Sequence, residues 1–494
     1  MDGSILAALA PRQRDVARRL ARAFTAGGRE LYLVGGIVRD VLLRRPLPND
    51  LDLATSALPE ETTRLGRAAG ADAVYDVGAR FGTVGFVFGA ERERVAVEIT
   101  TYRREHYPDE TRFPAVALGG TLEEDLARRD FTANAIAAGL DGGGLVDPYG
   151  GEADIALAVL RAVGDPDDRF AEDPLRLLRA ARFVAQLGFR LDALTEAAMA
   201  RNAPSLERIS RERVLAELDK LLVGEWAAAG LEALRRTGLL AVALPELAPL
   251  AAEAEAGARG ARPHREKELW DHTLRVVSQA PARPHVRWAA LLHDAAKPLT
   301  RGVDAAGEVH FFGHEPVGAD LATKLLRRLK TDKATQAAVR LLVALHGRPT
   351  TYEPDWTDSA VRRLALDAGE VWDDLLDLAA ADVTSGREEK RRAAAARVAG
   401  LRAHFARLQA EADLDKLQSP LDGNELMALF ARPPGIWIKR VKDDLRERVI
   451  DGELAPDDKT EAERIARELV AAEETARSGG SVAVGSGAPP PAVP

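Results

Sequence analysis

The spacing of apolar positions divides the chain into an N-terminal part with strand and helix patterns and a longer part with helix patterns alone. Residues 13–30 carry basic and apolar positions at helical spacing, which predicts an amphipathic helix. Four segments are rich in Val, Ile, Phe and Tyr or alternate apolar with polar residues, as strands do: ELYLVGG, DLDLAT, GTVGFVF and VAVEITTY. From about Gly150 onward, Leu, Ala, Arg and Glu recur at helical spacing. The pattern predicts a small α/β head followed by an all-helical body.

Breaks in these patterns set the predicted domain boundaries. The predicted parts are a head (1–150), a helical neck and body (151–255), a histidine-bearing helical domain (262–385), a C-terminal helical segment (386–476) and a disordered tail (477–494). The tail is predicted to be disordered because Gly, Ser and Pro dominate it. A linker is predicted at 252–264. Inside the head, HYPDETRFPAVALGGT (106–121) carries Pro and Gly and predicts a long mobile loop.

The composition indicates a globular protein without disulfides. The 494 residues suffice for about three domains, and 46% of them are hydrophobic, enough for sizeable cores. The 68 basic and 77 acidic side chains give a net charge of -9, which argues against a surface coated with basic charge but leaves room for basic patches. Cysteine is absent, which excludes thiolate metal sites and fits a reducing compartment. We read no signal peptide and no membrane span, and expect a cytoplasmic protein.

Two glycines and two aspartates near the N-terminus are the first candidate site residues. Gly35 and Gly36 follow the first predicted strand, and Asp50 and Asp52 lie one residue apart on the second. Alternate side chains of a strand project from one face, and two carboxylates on one face suit Mg²⁺ with phosphate oxygens. The glycines would let backbone N–H groups approach a triphosphate closely. Arg39, one turn into the next predicted helix, would reach the same phosphates.

A third carboxylate, Glu98, lies in the predicted strand VAVEITTY. Three acids that hold two metal ions about 3.5–4 Å apart would activate a hydroxyl and stabilise a leaving pyrophosphate, which is nucleotidyl transfer. The alternative is a tight turn followed by a surface pair of aspartates. The conjunction of the aspartates with two glycines and Arg39 favours the catalytic interpretation.

Four motifs carry a resemblance to a known family. VGGIVRD…DLDLAT resembles the head motif of the tRNA nucleotidyltransferase and bacterial poly(A) polymerase family, within the polymerase-β-like superfamily. RRDFTANAI (128–136), EDPLRLLRAARFVAQLGF (172–189) and RISRERVLAELDKLL (208–222) resemble its second signature, its nucleotide-selecting segment and its neck helix. The layout is most similar to that of the class II, actinobacterial CCA-adding enzymes.

The resemblance implies both a fold and an activity. The fold would be α+β, with a polymerase-β-like nucleotidyltransferase head followed by an all-α neck, body and HD domain. The activity would be template-independent addition of CCA to the 3′ end of tRNA from CTP and ATP, with Mg²⁺. By the same resemblance, Gly36, Arg39 and Arg129 contact the incoming nucleotide. The loop at 106–121 would let one pocket refit from CTP to ATP.

The segment EDPLRLLRAAR predicts a helix start, with Asp173 at the N-cap and Pro174 at the first helical position. Arg176, Arg179 and Arg182 then recur at three-residue spacing. The resemblance implies that Asp173 and Arg176 act as a protein template for the base, while Arg179 and Arg182 assist. The alternative from the residues alone is an amphipathic helix with a solvated arginine stripe.

Two neighbours of these motifs are predicted to be structural. Glu172 is expected to orient an arginine, and Asp130 to cap the FTANAI segment.

An acidic protein that binds tRNA needs local basic surfaces. KLLRRLKTDK (324–333) and REEKRRAAAARVAGLR (387–402) could lie along phosphates and make binding salt-dependent. Each could equally be a solvated helix face. Recognition of the tRNA acceptor arm by shape and backbone is the expected mode.

The histidines predict a second site. WDHTL, LLHDAAKP, FFGHE, LHGR and AADVT occur in order and resemble an HD phosphohydrolase domain. By this resemblance His272, His293, Asp294 and Asp382 form a mononuclear metal set, and His314 and His346 could complete a two-metal site. Such ligands suit Mn, Fe, Co, Ni or Zn, and the site could activate water against a phosphomonoester or a 2′,3′-cyclic phosphate. The alternative is a domain that only packs within the tRNA-binding body.

Three other functions stay open from the sequence. One is a poly(A) polymerase, and another is an enzyme that adds only the final A or only CC. The third belongs to a different class, a metal phosphohydrolase whose head merely binds RNA. Asp50, Asp52 and Arg39 argue against an inactive head.

Overall fold

The chain forms two compact units, Met1–Val343 and Ala344–Pro494. The structure, a computed structural model, describes residues 5–78, 82–90, 94–106, 115–140, 143–251, 267–384, 387–411 and 418–479. Within these ranges, no helix is long and apolar enough to cross a membrane. The domain boundaries predicted from the sequence stay predictions.

A mixed sheet forms the centre of the head. The head strands are Leu31–Val34 (β1), Asp50–Thr55 (β2), Ala73–Gly78 (β3), Thr83–Phe88 (β4), Val95–Thr101 (β5), Arg103–His106 (β6), Ala115–Leu118 (β7), Ala137–Gly139 (β8) and Leu145–Val146 (β9). Their order in the main sheet is β3-β4-β5-β2-β1-β8-β9. β2 and β5 pair in parallel, whereas β1 pairs antiparallel with both β2 and β8. The four strands predicted from the sequence, β1, β2, β4 and β5, are confirmed.

Helices pack against this sheet and bury their apolar faces on it. The head helices are Ile5–Ala8, Pro11–Ala26, Gly36–Leu42, Pro59–Ala68 and Leu122–Ala127. The predicted amphipathic helix is confirmed as Pro11–Ala26, which buries Val16, Leu20 and Phe24. On β2, Leu51 and Leu53 are buried while Asp50 and Asp52 are exposed. The strand alternation therefore directs both carboxylates away from the core.

Two expectations about strands are wrong. The segment 106–121 was expected to be an irregular loop, but β6 and β7 pair antiparallel, with His106 opposite Ala115. Two of the four residues of β7 are alanine, which is depleted in strands, so the pairing of β7 with β6, rather than its composition, decides its conformation. Short strand pairs also occur beyond Gly150, namely Val159–Leu160 (β10) with Arg190–Leu191 (β11) and Gly302–Val303 (β12) with Val309–His310 (β13). Each of these strands has two residues, too few to show the alternation of apolar and polar positions that predicts a strand.

Other expectations fall outside the described residues. Residues 107–114 of the expected loop, the predicted linker at 252–264 and residues 480–494 of the predicted tail all lie there.

The rest of the first unit is built from helices. They are Gly151–Ala156, Pro166–Glu172, Leu175–Leu187, Ala193–Asn202, Arg211–Leu222, Ala227–Arg236, Leu239–Ala243, Lys267–Gln279, Pro284–Leu292, Lys297–Thr300, His314–Arg328 and Lys333–Leu345, the last of which crosses into the second unit. The helix Leu175–Leu187 packs against Arg211–Leu222 and Ala227–Arg236. We call it the selection helix because it carries arginines that are predicted to select the base. It ends at Gly188, whose φ of 70° suits the left-handed cap that glycine adopts easily.

The second unit is helical in its described residues. Its helices are Asp358–Ala368, Trp372–Ala381, Glu388–Glu411, Gly423–Phe430, Ile436–Asp451 and Lys459–Gly479. The last three share a core in which Leu426, Leu445 and Ala466 are fully buried.

Candidate functional site

The carboxylates predicted to hold metal are neighbours on the sheet. In the parallel register of β2 and β5, Asp52 lies beside Glu98, and Asp50 lies two residues earlier on β2. Desolvation, followed by the negative charges of Glu98 and Asp50, raises the pKa of Asp52 to about 6, and Arg129 partly offsets this. Three carboxylates that repel one another in this way form a site that a divalent cation would stabilise.

Gly35 and Gly36 lack a Cβ atom, and arginine side chains occupy the space beside them. Gly35 has φ 75° at the end of β1, and a Cβ there would come within 2.9 Å of Arg129 Nη1. A Cβ on Gly36 would meet Arg39 Nη2 at 3.4 Å. The Gly35 N–H already donates to the Ile136 carbonyl at 3.3 Å, which leaves this amide less suited to bind phosphate than the sequence suggested. The two glycines therefore admit two guanidinium groups to the loop.

Arg39 is held in a buried network. Its Nη1 donates to Asn134 Oδ1 at 2.7 Å, and its Nε donates to Asp40 Oδ1 at 2.9 Å. Asn134 in turn donates from Nδ2 to Asp130 Oδ1 at 3.0 Å. The side chain of Arg39 is thus fixed before any ligand arrives.

Arg129 is positioned by a fully buried acid. Its Nη2 donates to Asp125 Oδ2 at 3.1 Å, and the neighbouring Arg128 donates to Asp125 Oδ1 at 2.7 Å. Burial alone would raise the pKa of Asp125, but the two arginines lower it below its usual value. Asp125 therefore stays ionised and holds both cations.

Asp173 and Arg176, the residues predicted to select the base, have separate partners in this structure. Asp173 accepts from Arg213 Nη2 at 3.1 Å and from the Leu175 N–H at 3.1 Å. Arg176 donates to Glu172 Oε2 at 2.5 Å and to the Arg128 carbonyl at 2.8 Å. The expectation that Glu172 orients an arginine is confirmed. The selection helix starts at Leu175 with Pro174 at its N-cap, one residue later than predicted.

Asp130 is not the cap that the sequence predicted. Phe131 occupies the N-cap of the short turn Thr132–Asn134. Asp130 Oδ1 still accepts from the Phe131 N–H at 2.9 Å, at the start of FTANAI, and Oδ2 accepts two bonds from Arg179, at 2.8 Å from Nε and 2.6 Å from Nη2. The buried carboxylate is therefore a partner for the selection helix. A residue 49 positions away cannot be assigned as its partner from local spacing.

Phe183 is a member of the site that sequence reasoning missed. The guanidinium carbons of Arg39, Arg179 and Arg182 lie 5.3, 5.5 and 4.1 Å from the centre of its ring. Arg182 also pairs with Glu217 at 2.8 Å. A single Phe on an amphipathic helix is usually interpreted as a core residue. The only signal in the sequence for a role in the site is its position beside Arg179 and Arg182. The Phe183 ring therefore makes cation–π contacts with all three guanidinium groups.

A cluster of imidazole and carboxylate groups lies in the histidine-bearing part of the first unit. Nε2 of His272 and Nε2 of His293 are 3.1 Å apart. Oδ2 of Asp294 lies 3.4 Å from His272 Nε2 and 3.2 Å from His293 Nε2. Nε2 of His314 lies 3.5 Å from Asp294 Oδ1. The ammonium of Lys297 donates to Asp294 Oδ2 at 2.7 Å.

The donor set of this cluster fits a transition metal. Nδ1 of His293 lies 2.8 Å from the Ala290 carbonyl, and Nδ1 of His314 lies 2.9 Å from the Phe311 carbonyl. Hydrogen bonds of this kind, from Nδ1 to a backbone carbonyl, orient the second ring nitrogen, Nε2, of metal-binding histidines toward the metal. The ligand atoms of His272, His293 and Asp294 lie within 4.8 Å of one another. One ion could therefore contact all three.

The last two predicted members belong to the second unit. His346 is 4% exposed, and Asp382 directly follows the helix Trp372–Ala381. Their place in a metal site stays a prediction.

Many cations in the two basic stretches have acidic partners. Nε of Arg328 donates to Glu246 at 2.7 Å, and Lys330 pairs with Glu212 at 2.5 Å. In the second stretch, Arg392 pairs with Glu388 at 2.5 Å and Arg402 with Asp377 at 3.0 Å. These ion pairs leave less unpaired positive charge than the sequence alone suggests.

The comparisons with known proteins agree with this layout. Residues 31–161 match the poly A polymerase head domain, residues 188–250 match the probable RNA and SrmB-binding site of polymerase A, and residues 269–387 match the HD domain. The CCA-adding enzyme of Geobacillus sp. (strain WCH70) is 34% identical over 428 residues, which cover 86% of this chain and 90% of that protein. This chain belongs to the family of CCA-adding enzymes.

Other CCA-adding enzymes extend the comparison. That of Streptococcus gordonii is 47% identical over 223 residues, which cover 45% of this chain and 53% of that protein. The crystal structure of the Bacillus stearothermophilus CCA-adding enzyme in complex with CTP has a TM-score of 0.67 and 30% identity, and the match covers 95% of this chain and 100% of that one. The predicted family, and the α+β fold with nucleotidyltransferase head, helical body and HD domain, are confirmed.

Proposed function

We propose that this CCA-adding enzyme builds the 3′ CCA end of tRNA from CTP and ATP at the carboxylate site of its head. The register of β2 and β5 carries the assignment of residues. It places Asp52 beside Glu98, and Asp50 lies on the same face of β2 as Asp52. In each cycle the terminal 3′-hydroxyl of the tRNA attacks the α-phosphorus of the nucleotide, a phosphodiester bond forms and pyrophosphate leaves.

Asp50, Asp52 and Glu98 would hold the Mg²⁺ ions. Bound Mg²⁺ would supply polarisation of the hydroxyl and charge neutralisation on the pyrophosphate. The raised pKa of Asp52, about 6, still leaves this carboxylate mostly ionised at neutral pH and available as a ligand. The carboxylates' mutual repulsion favours cation binding.

The triphosphate would contact the arginines that the glycine loop admits. The positive charge of Arg129 lowers the pKa of Asp52, which supports a place for this guanidinium near the carboxylates. Arg39 is fixed by Asn134 and Asp40, which preorganises its guanidinium beside Gly36. Preorganised donors reduce the conformational entropy lost on binding.

Base selection would fall to Asp173 and Arg176, assisted by Arg179 and Arg182. Asp173 would exchange its bond to Arg213 for one to the base, and Arg176 would exchange part of its contact with Glu172. A carboxylate and a guanidinium supply the acceptor and the donors that a Watson–Crick edge needs.

The tRNA acceptor arm would lie along the helical part of the chain. Residues 188–250 support this, because they match a probable RNA-binding segment. The stretches 324–333 and 387–402 would add phosphate contacts through those cations that acids do not neutralise. We expect the enzyme to work in the cytoplasm.

The test offers purified enzyme three tRNA primers that lack CCA, CA or only A, with CTP and ATP, and sizes the products at single-nucleotide resolution. We expect all three primers to end at the same full-length CCA product. Extension of the last primer alone would identify an enzyme that adds only A. Arrest after two additions would identify a CC-adding enzyme, and a long adenylate ladder on primers other than tRNA would identify a poly(A) polymerase.

A second activity is supported by the His272–His293–Asp294 cluster. We propose that it holds one or two transition-metal ions and hydrolyses a phosphate ester, with Asp382, His314 and His346 as further ligands. Bound metal would supply activated water. Elemental analysis of the purified protein, and ester cleavage with each of Mn²⁺, Fe²⁺, Co²⁺, Ni²⁺ and Zn²⁺, test it. If the protein binds no metal and cleaves no ester, the domain has only a structural role.

A further inference from the structure

An aromatic platform lies on the short hairpin that precedes His314. Gly302 on β12 lies directly opposite His310 on β13. A Cβ at position 302 would come within 2.2 Å of His310 Cε1, so the imidazole rests against the glycine backbone. Phe312 stacks on this imidazole, with ring centres 4.3 Å apart and 24° between the planes. His310 and Phe312 together are called the platform.

The platform is open to solvent. Phe312 is 80% exposed, although large aromatic side chains are normally buried. Leu299 and Val303, on the same stretch of chain, are 57% and 55% exposed. A second flat ring could stack on Phe312 without any displacement of protein atoms that already pack there.

The same segment connects the platform to the metal cluster. The Phe311 carbonyl accepts from His314 Nδ1 at 2.9 Å, and the Lys297 ammonium lies 5.8 Å from the centre of the Phe311 ring. Lys297 also donates to Asp294. Phe312 is two residues before His314, and two residues span at most about 7 Å. A single nucleotide can bridge that distance, with its base on the platform and its phosphate at the cluster.

We propose that the platform is the base-binding subsite of the HD centre, where the ring of Phe312 stacks on the base of a bound nucleotide. The proposal rests on the phosphohydrolase activity proposed above. Stacking suits any base, because every base has a π-face. Lys297 would hold the phosphate by charge. In the reaction the oxygen of water bonds to phosphorus, the ester P–O bond breaks, and the released ribose hydroxyl takes up the proton.

The binding test needs no metal and therefore does not depend on hydrolysis. The full chain, treated with EDTA, is irradiated with 8-azidoadenosine 3′-phosphate, and the tryptic peptide covering 302–324 is analysed. We expect label on this peptide, and protection by adenosine 3′-phosphate but not by ribose phosphate. Label only on peptides of the head would place the base elsewhere and overturn the proposal.

Variants separate stacking from general apolar contact. Phe312→Ala should weaken nucleotide binding at this peptide by about 5- to 150-fold, as loss of one base–aromatic stack does. Phe312→Tyr keeps the ring and should restore binding. Leu299→Ala removes exposed apolar surface without removing a ring, and should bind as wild type does. All three should retain CCA addition, since none lies in the head.

Hydrolysis supplies the second readout. With the metal that supports cleavage, Phe312→Ala should raise KM for adenosine 3′-phosphate and leave glycerol phosphate cleavage unchanged. Equal losses on both substrates, or equal effects of Phe312→Ala and Leu299→Ala, would overturn the proposal. So would a change in sedimentation of Phe312→Ala, because it would make the patch a contact between protein chains. If no metal supports cleavage but the peptide is labelled, the phosphohydrolase fails while the base site remains.

Discussion

At the scale of single residues, the head concentrates negative charge that the folded protein tolerates poorly without a cation. The pKa of Asp52 is raised to about 6 from 3.8, first by desolvation and then by Glu98 and Asp50. An acid whose folded pKa is raised favours folding less as it ionises, so the penalty is absent below about pH 4 and complete above about pH 6. Ionised Asp52 is therefore expected to destabilise the metal-free enzyme at neutral pH.

Asp52→Asn tests this point together with the catalytic role. We expect nucleotide addition to fall by more than the roughly 10- to 100-fold typical of residues that only support a metal ligand. We also expect a higher Tm for the metal-free variant at pH 8 than for wild type, with little difference at pH 4. The shift in pKa corresponds to at most ~3 kcal/mol, and solvent screening of this exposed side chain reduces it. Thermal scans with EDTA at the two pH values measure the effect, and tRNA binding serves as the control. Wild-type activity in the variant would remove Asp52 from the mechanism.

At the scale of secondary-structure elements, a series of hydrogen bonds connects the selection helix to the head. Arg179 binds Asp130, Asp130 accepts from Asn134, and Asn134 accepts from Arg39. A residue proposed to read the base is therefore two hydrogen-bonded side chains away from one proposed to bind phosphate.

Arg176→Ala is the prediction that belongs to this helix. Loss of a hydrogen bond to a charged donor should weaken discrimination among CTP, ATP, GTP and UTP by roughly 1.5–3 kcal/mol. Arg176→Lys should also lose selectivity, because an ammonium cannot reproduce the planar fork. Glu172→Gln is the matched control, since it perturbs the arginine's partner without removing a group that faces the base. The ratio of kcat/KM for correct and incorrect nucleotides is the measurement. Unchanged ratios in both Arg176 variants would exclude this residue from the template.

The sequence predicts these elements better than it predicts their contacts. DLDLAT shows its strand by alternation, and the same alternation indicates that Asp50 and Asp52 share a face. The β6–β7 hairpin was missed because its first strand, RREH, lacks the apolar residues that mark a strand. The partners of Arg39 and Arg179 lie 95 and 49 residues away, so only the folded chain brings them together. Motifs predict which residues matter, whereas packing decides which of them touch.

At the scale of the whole molecule, the chain carries two sets of chemistry on different parts of one unit. The carboxylates of the head lie on β2 and β5, whereas His272, His293 and Asp294 lie on and just after the helices Lys267–Gln279 and Pro284–Leu292. Residues of the two sets differ in kind as well. The head offers carboxylates for a hard cation, and the cluster offers imidazoles that suit softer metals. Different ligand types allow the two sites to hold different metals in the same solution.

Asp294→Ala should therefore separate the two activities. Asp294 faces two imidazoles and the Lys297 ammonium, so its loss deprives Lys297 of this carboxylate partner and removes a predicted metal ligand. We expect phosphate ester cleavage and transition-metal content to fall to background, while full-length CCA addition with Mg²⁺ persists. Asp294→Asn keeps the size of the side chain and a hydrogen bond to Lys297, and it guards against a simple loss of folding. Parallel assays of ester cleavage and primer extension on the same preparations decide the matter. If both variants fold and both lose CCA addition, the HD cluster supports the head reaction and the two activities are not separable.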